Sequence, residues 1–394
     1  LRGYAALWVV LSHVSYTDSL SMPLATRLHW QLEGILRHEY LAVDLFFILS
    51  GFVLTHAHAR ELDEGTNRRS YGRFLLLRLA RVYPLHILAL LHAALIALVV
   101  PSHLENTVGS FVLQLLLMAS WGFCKTLSWN GPAWSLSSEW LAYLALPLMI
   151  MVTAGLRGVR SQLAALGALI LLYGLLFFGF LWSLTLLFEI NIGNGAGANG
   201  RVLLGVAFGC ILRRLYDEKS VRALPWTVLF WLSLPLAAAS MTDLSGRRLD
   251  NSLWAFLATM FTVFAAACAS PRGLFPFTSR APVYLGEISY AVYIFHYPVL
   301  LTLRWLFGAR LDELANTTSE GGARLVILGS VVVVVIVAAL AHHLVEKPAR
   351  NLARRWIDRR YPITPVARDA GASSASAPAA ARDPAERVGA SVGE

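Results

Sequence analysis

Apolar residues run along this chain in long blocks rather than in alternating stripes. The blocks fall near residues 3–20, 40–59, 75–100, 108–124, 134–153, 162–182, 201–215, 222–241, 251–269, 282–307 and 324–345. Most approach or exceed the roughly 20 residues that a helix needs to cross a bilayer. Lipid offers the backbone no hydrogen-bonding partner, so blocks of this length predict helices, whose backbone groups are satisfied internally. The pattern therefore predicts an all-α polytopic integral membrane protein.

Basic residues assign the sides, because cytoplasmic loops hold the excess of Lys and Arg. If all eleven blocks cross, the cluster Lys347, Arg350, Arg354, Arg355, Arg359 and Arg360 lands outside, together with Arg213, Arg214, Lys219 and Arg222. If the block 108–124 is short or re-entrant, those clusters fall inside with Arg2, Arg68, Arg69, Arg73, Arg78, Arg81, Arg157 and Arg160. The expectation is ten transmembrane helices plus one short or re-entrant segment, with both termini cytoplasmic. A transmembrane domain then covers 1–350, and 351–394 is a basic juxtamembrane segment followed by an Ala/Ser/Pro-rich tail expected to be disordered. The opening Leu1-Arg2-Gly3 carries no initiator Met, so a short piece is expected to precede it, with the first helix retained as a span rather than cleaved as a signal.

Composition agrees and narrows the classes. Of 394 residues 57% are apolar and 14% charged, and the mean hydropathy is +0.58, too apolar for one soluble core. The net charge of +9 sits at helix ends without interleaved aromatics, which argues against a nucleic-acid partner. Cys124, Cys210 and Cys268 show no paired spacing, so neither a disulfide framework nor a zinc site is expected.

The informative residues are the polar ones inside the blocks. In LRGYAALWVVLSH, Arg2 and His13 are eleven steps apart, which returns to nearly the same helical face about 16 Å higher. Asp44 opens the second block from the external side in LAVDLFFILSGF, Glu139 comes early in NGPAWSLSSEWLAYLALP, and His296 lies deep in GEISYAVYIFHYPVL. Counting from the cytoplasmic ends puts His13 about 18 Å and His296 about 21 Å up, so four ionisable groups share the external half of the bilayer. Each has a structural alternative: carboxylates are favoured at helix N-termini by the dipole, and a buried histidine can simply bridge two helices. Shared depth favours a single site. On the cytoplasmic side Arg78 and Arg81, three apart on one face, join Arg2 in an anion site suited to phosphates; retention of a helix end inside is the simpler reading of Arg68, Arg69 and Arg73.

The motifs in order are Arg2 to His13, VDLFFILSGFVL, Arg78-x-x-Arg81 before Tyr83-Pro84, WSLSSEW, ISYAVYIFHYPV and the closing VEKPAR. Over about residues 1–350 this set resembles the membrane acyltransferase-3 family, bacterial O-acyltransferases of sugars and related acceptors. The resemblance implies a multi-pass protein of the bacterial cytoplasmic (inner) membrane that transfers an acyl group, commonly acetyl from acetyl-CoA, to a carbohydrate or lipid-linked glycan. It puts His13 at the essential histidine and matches Arg2, Arg78 and Arg81 to positions linked to coenzyme A binding, with no metal. Histidine suits proton transfer near neutral pH, so His13 can act as general base or as acyl carrier, with Asp44 or Glu139 to orient it. The competing class is a proton-coupled transporter in which His13, Asp44, Glu139 and His296 form a relay.

Overall fold

The computed structural model describes residues 1–16, 30–63, 68–100, 106–124, 126–177, 195–242, 252–317 and 319–362. The chain is helical, with no strand among the described residues. In order the α-helices of eight or more residues are α1 (Arg2–Tyr16), α2 (Trp30–Arg37), α3 (Tyr40–Asp63), α4 (Arg68–Ala97), α5 (Val108–Leu115), α6 (Trp134–Ala154), α7 (Gly158–Phe177), α8 (Gly195–Asp217), α9 (Trp226–Met241), α10 (Ser252–Cys268), α11 (Arg280–Glu287), α12 (Ser289–Thr317), α13 (Ser319–Ala341) and α14 (Lys347–Arg360). Six helical stretches among the described residues are long and apolar enough to cross a membrane: Tyr40–His58, Arg69–Ala97, Gly131–Ala154, Gly158–Leu176, Ser289–Leu311 and Gly322–Arg360. Trp226–Met241 and Leu253–Cys268 are apolar but shorter. The ends of the first and sixth predicted blocks, and the tail beyond Pro362, lie outside the described residues.

The fourth block, expected to be short or re-entrant, holds only a short helix and an irregular turn. Helix α5 is eight residues long, begins at a Thr107–Ser110 capping box and gives way at Leu117, whose φ of 57° is left-handed. A π-helical turn, Ala119–Phe123, follows, with Gly122 at φ 100°. His86 of α4 pins the segment by donating from Nε2 to the Gln114 carbonyl at 2.7 Å.

The tenth block differs from expectation. It divides into α11 and α12 at Ile288, so His296 lies only two turns into its own helix, and the depth counted from Pro282 does not describe it. Within α12, Pro298 has no N–H for the Ile294 carbonyl four residues back; Asn130 Nδ2 donates to that carbonyl at 3.0 Å instead.

Helix α1 is a wedge between two apolar clusters. Ala5 and Val9 pack into one, with residues of α3, α6, α8, α9 and α10; Ala6, Val10 and Val14 pack into the other, with α4, α12 and α13. Gly3 permits the close approach of α1 to α11, since a Cβ there would lie 2.7 Å from the Leu285 backbone. Small residues also join α3 to α8, where a side chain on Gly51 would collide with the Val206 carbonyl and one on Gly209 with the Ile48 carbonyl. The wedge carries Arg2 at one end of the seam between the clusters and His13 at the other.

Candidate active site

Two imidazoles meet at the end of this seam opposite Arg2. The rings of His13 and His296 are 4.8 Å apart between centroids and inclined at 77°, edge to face. His13 Nδ1 lies 3.0 Å from the Val9 carbonyl, and His296 Nδ1 makes a short hydrogen bond to the Tyr293 carbonyl. A ring nitrogen facing a carbonyl oxygen must donate, so in both neutral rings Nδ1 holds the proton and Nε2 the lone pair. His296 is fully buried, and its Nε2 has no protein partner among the described residues.

Beside the pair, Tyr293 is anchored to the segment that precedes α6. Its hydroxyl donates to the Pro132 carbonyl at 3.1 Å and lies 2.8 Å from Ser135 Oγ. Tyr293 and Ser135 line a cavity whose other walls include Phe46, Glu139, Tyr290 and Arg2. Tyr290 is held by donation from its hydroxyl to the Val82 carbonyl at 2.6 Å. The cavity is thus lined both by Arg2 and by the residue whose carbonyl orients His296.

At the Arg2 end the charge is predominantly positive. Arg2 lies within electrostatic reach of Arg78, Arg81, Glu139 and Tyr143, and Arg78 of the same acid and tyrosine. The Arg2 guanidinium sits 5.6 Å from the Phe46 ring and that of Arg78 5.8 Å from Phe74, distances typical of cation–π packing. Arg2 Nε and Arg78 Nε are buried without an acceptor among the described residues, although buried donors are normally satisfied. A group with several acceptor oxygens, such as a phosphate, matches such a site.

Structure and expectation part company at the carboxylates. Asp44 is bound on both oxygens: Arg201 Nε reaches Oδ1 at 2.7 Å, Arg201 Nη2 reaches Oδ2 at 2.8 Å, and the Tyr173 hydroxyl donates to Oδ2 at 3.1 Å. Glu139 Oε1 accepts from Ser50 Oγ and the Tyr143 hydroxyl, each at 2.6 Å, and its charge faces the arginines. Neither carboxylate is the group on His13 Nδ1, where the Val9 carbonyl takes the orienting position. The structure therefore brings His13 to His296, and Arg2, Arg78 and Arg81 to Glu139, while Asp44 belongs to a bridge between α3 and α8.

Two participants escaped the sequence reading. Arg201 stands alone in an apolar stretch, a signal that it needs an acid, but the sequence does not say which one. Glu346, inside VEKPAR, is fully buried in a second π-helical turn, His342–Glu346; it accepts from His342 Nδ1 at 2.8 Å, pairs with Arg350 at 3.3 Å and lies 3.7 Å from Arg81 Nη1. It thus ties the start of α14 to the arginine cluster.

Comparison with known proteins gives the family. A family model described as an acyltransferase domain matches residues 1–343. The chain is 28% identical over 381 residues to Acyltransferase MdmB of Streptomyces mycarofaciens, covering 92% of each chain. It is 44% identical over 159 residues to Protein 2 in picA locus of Rhizobium radiobacter, covering 35% of this chain and 73% of that one. It is also 23% identical over 385 residues to "Putative peptidoglycan O-acetyltransferase YrhL" of Bacillus subtilis (strain 168), covering 91% of this chain but 55% of that longer protein. No solved structure matches. With the family model spanning most of its length, the chain belongs to the acyltransferase-3 family, and it is an acyltransferase built largely of apolar helices.

Proposed function

We propose that this protein transfers an acetyl group from cytoplasmic acetyl-CoA to a hydroxyl of a carbohydrate, or of a lipid-linked glycan, at the bacterial cytoplasmic membrane. The observation that carries this reading is the cavity lined by both Arg2 and Tyr293, together with the guanidinium donors of Arg2 and Arg78 that lack an acceptor among the described residues and the His13/His296 pair adjoining Tyr293. Coenzyme A combines phosphates with a long narrow arm ending in a thioester, and the Arg2 to His13 spacing of roughly 16 Å along α1 is of the same order as that arm. The orphaned Nε atoms of Arg2 and Arg78 are consistent with phosphate oxygens as their partners. A thioester supplies an activated acyl carbon, and the rest of the chemistry falls to the protein.

Arg2, Arg78 and Arg81 bind the phosphates, and Glu346 holds Arg81 in place. His13 Nε2 supplies the lone pair. Two roles are open to it: taking the proton of the attacking hydroxyl, or accepting the acyl group and handing it outward. Ten crossings with both termini cytoplasmic would put the arginines on the donor side and the histidines nearer the acceptor. A proton relay loses support from Asp44, whose carboxylate is fully engaged by Arg201 and Tyr173.

The test is incubation of the purified protein with acetyl-CoA labelled in the acetyl group. Label on a histidine identifies an acyl carrier; slow acetyl-CoA hydrolysis without protein label identifies a general base. Absence of both, with no binding of acetyl-CoA, overturns the donor assignment.

A further inference from the structure

The membrane-facing stripe of α13 continues past the length of a span. Leu328, Val332, Ile336, Leu340 and Leu344 are each more than half exposed, at intervals of four residues. On a regular α-helix such a stripe drifts by about 40° per step. The wider π-helical turn His342–Glu346 offsets part of that drift. Beyond it the same spacing resumes at Leu352 and Trp356, 71% and 57% exposed. The helical stretch Gly322–Arg360 is 39 residues long, roughly 58 Å at 1.5 Å per residue, against a hydrocarbon core of about 30 Å. Its final turns therefore extend to the headgroup layer or beyond.

Helix α14 is held to α4 by its other side. Ile357 is buried, and Asp358 accepts from Arg73 Nη2 at 2.7 Å. Arg350 is used by Glu346, and Arg354 lies 3.8 Å from Asp358. Arg355, Arg359 and Arg360 are exposed, have no carboxylate partner among the described residues, and flank Leu352 and Trp356 on the helical wheel. A tryptophan and a leucine edged by unpaired arginines suit the interface between acyl chains and negatively charged headgroups, where indole is favoured and each basic group adds attraction.

We propose that this face of α14 is a docking surface for anionic phospholipid headgroups, with Leu352 and Trp356 seated in the interfacial layer and Arg355, Arg359 and Arg360 on the phosphates. The experiment uses the full chain in detergent with equal amounts of phosphatidylglycerol and phosphatidylcholine, and counts retained lipids by native mass spectrometry. The wild-type protein should retain phosphatidylglycerol preferentially. Arg355→Gln/Arg359→Gln/Arg360→Gln should lose that preference, by up to about fivefold for each arginine removed. Leu352→Ser/Trp356→Ser should lower retention of both lipids. Unchanged thermal unfolding of both variants would show that the effect is local. Equal retention of the two lipids by the wild-type protein, undiminished preference in the arginine variant, or a dimer that buries α14 would each overturn the proposal. The readout involves no acyl transfer, so it is independent of the proposed activity.

Discussion

The His13 and His296 rings meet edge to face at 4.8 Å, each with Nδ1 committed to a backbone carbonyl one turn earlier in its own helix. This arrangement fixes both tautomers through main-chain carbonyls and leaves Nε2 as the basic nitrogen of each ring. The imidazoles are set by main-chain geometry, and side-chain substitutions nearby should not change the tautomer.

The first prediction concerns His13. His13→Gln retains some shape and hydrogen bonding but has no basic nitrogen, so acyl transfer should fall to background while acetyl-CoA still binds. Activity of the unaltered protein should also decline toward acid pH, where protonation removes the Nε2 lone pair. Substantial transfer by the Gln variant would move the chemistry to His296.

The donor site is tested by binding. Arg78→Ala and Arg81→Ala should each weaken acetyl-CoA binding by roughly tenfold or more, the worth of a charge-assisted hydrogen bond, as measured by calorimetry on the purified protein. Lysine at either position should rescue only in part, because a point charge lacks the bidentate fork. Unchanged affinity in both Ala variants would leave these arginines a topological role alone.

Asp44 should behave as a structural residue. Asp44→Asn leaves Arg201 buried without its counter-charge, so thermal unfolding should show a loss of about 3–5 kcal/mol. The pair replacement Asp44→Leu/Arg201→Met removes both charges and should recover much of that loss. A stable Asp44→Asn variant lacking only activity would instead return Asp44 to the chemistry.

Topology can be read with reporter fusions after Arg157, Arg214 and Arg355, each within a Lys/Arg-rich stretch. All three should report cytoplasmic. External signals at two of them would overturn the ten-crossing arrangement.

The apolar blocks and the shortness of the fourth were legible in the sequence, because each depends on local periodicity and on the length needed to cross lipid. Partner choice was not. Asp44 and Arg201 are 157 positions apart, and they meet because Gly51 and Gly209 let α3 and α8 approach closely. Nothing in the motif around Asp44 separates a catalytic carboxylate from one half of an ion pair. Counting from Pro282 also treated the tenth block as one helix, whereas it divides at Ile288 into α11 and α12. The histidine pair, the Glu346 link to Arg81 and the cavity between them exist only once helix faces are matched, and that matching depends on close packing among residues remote in the chain.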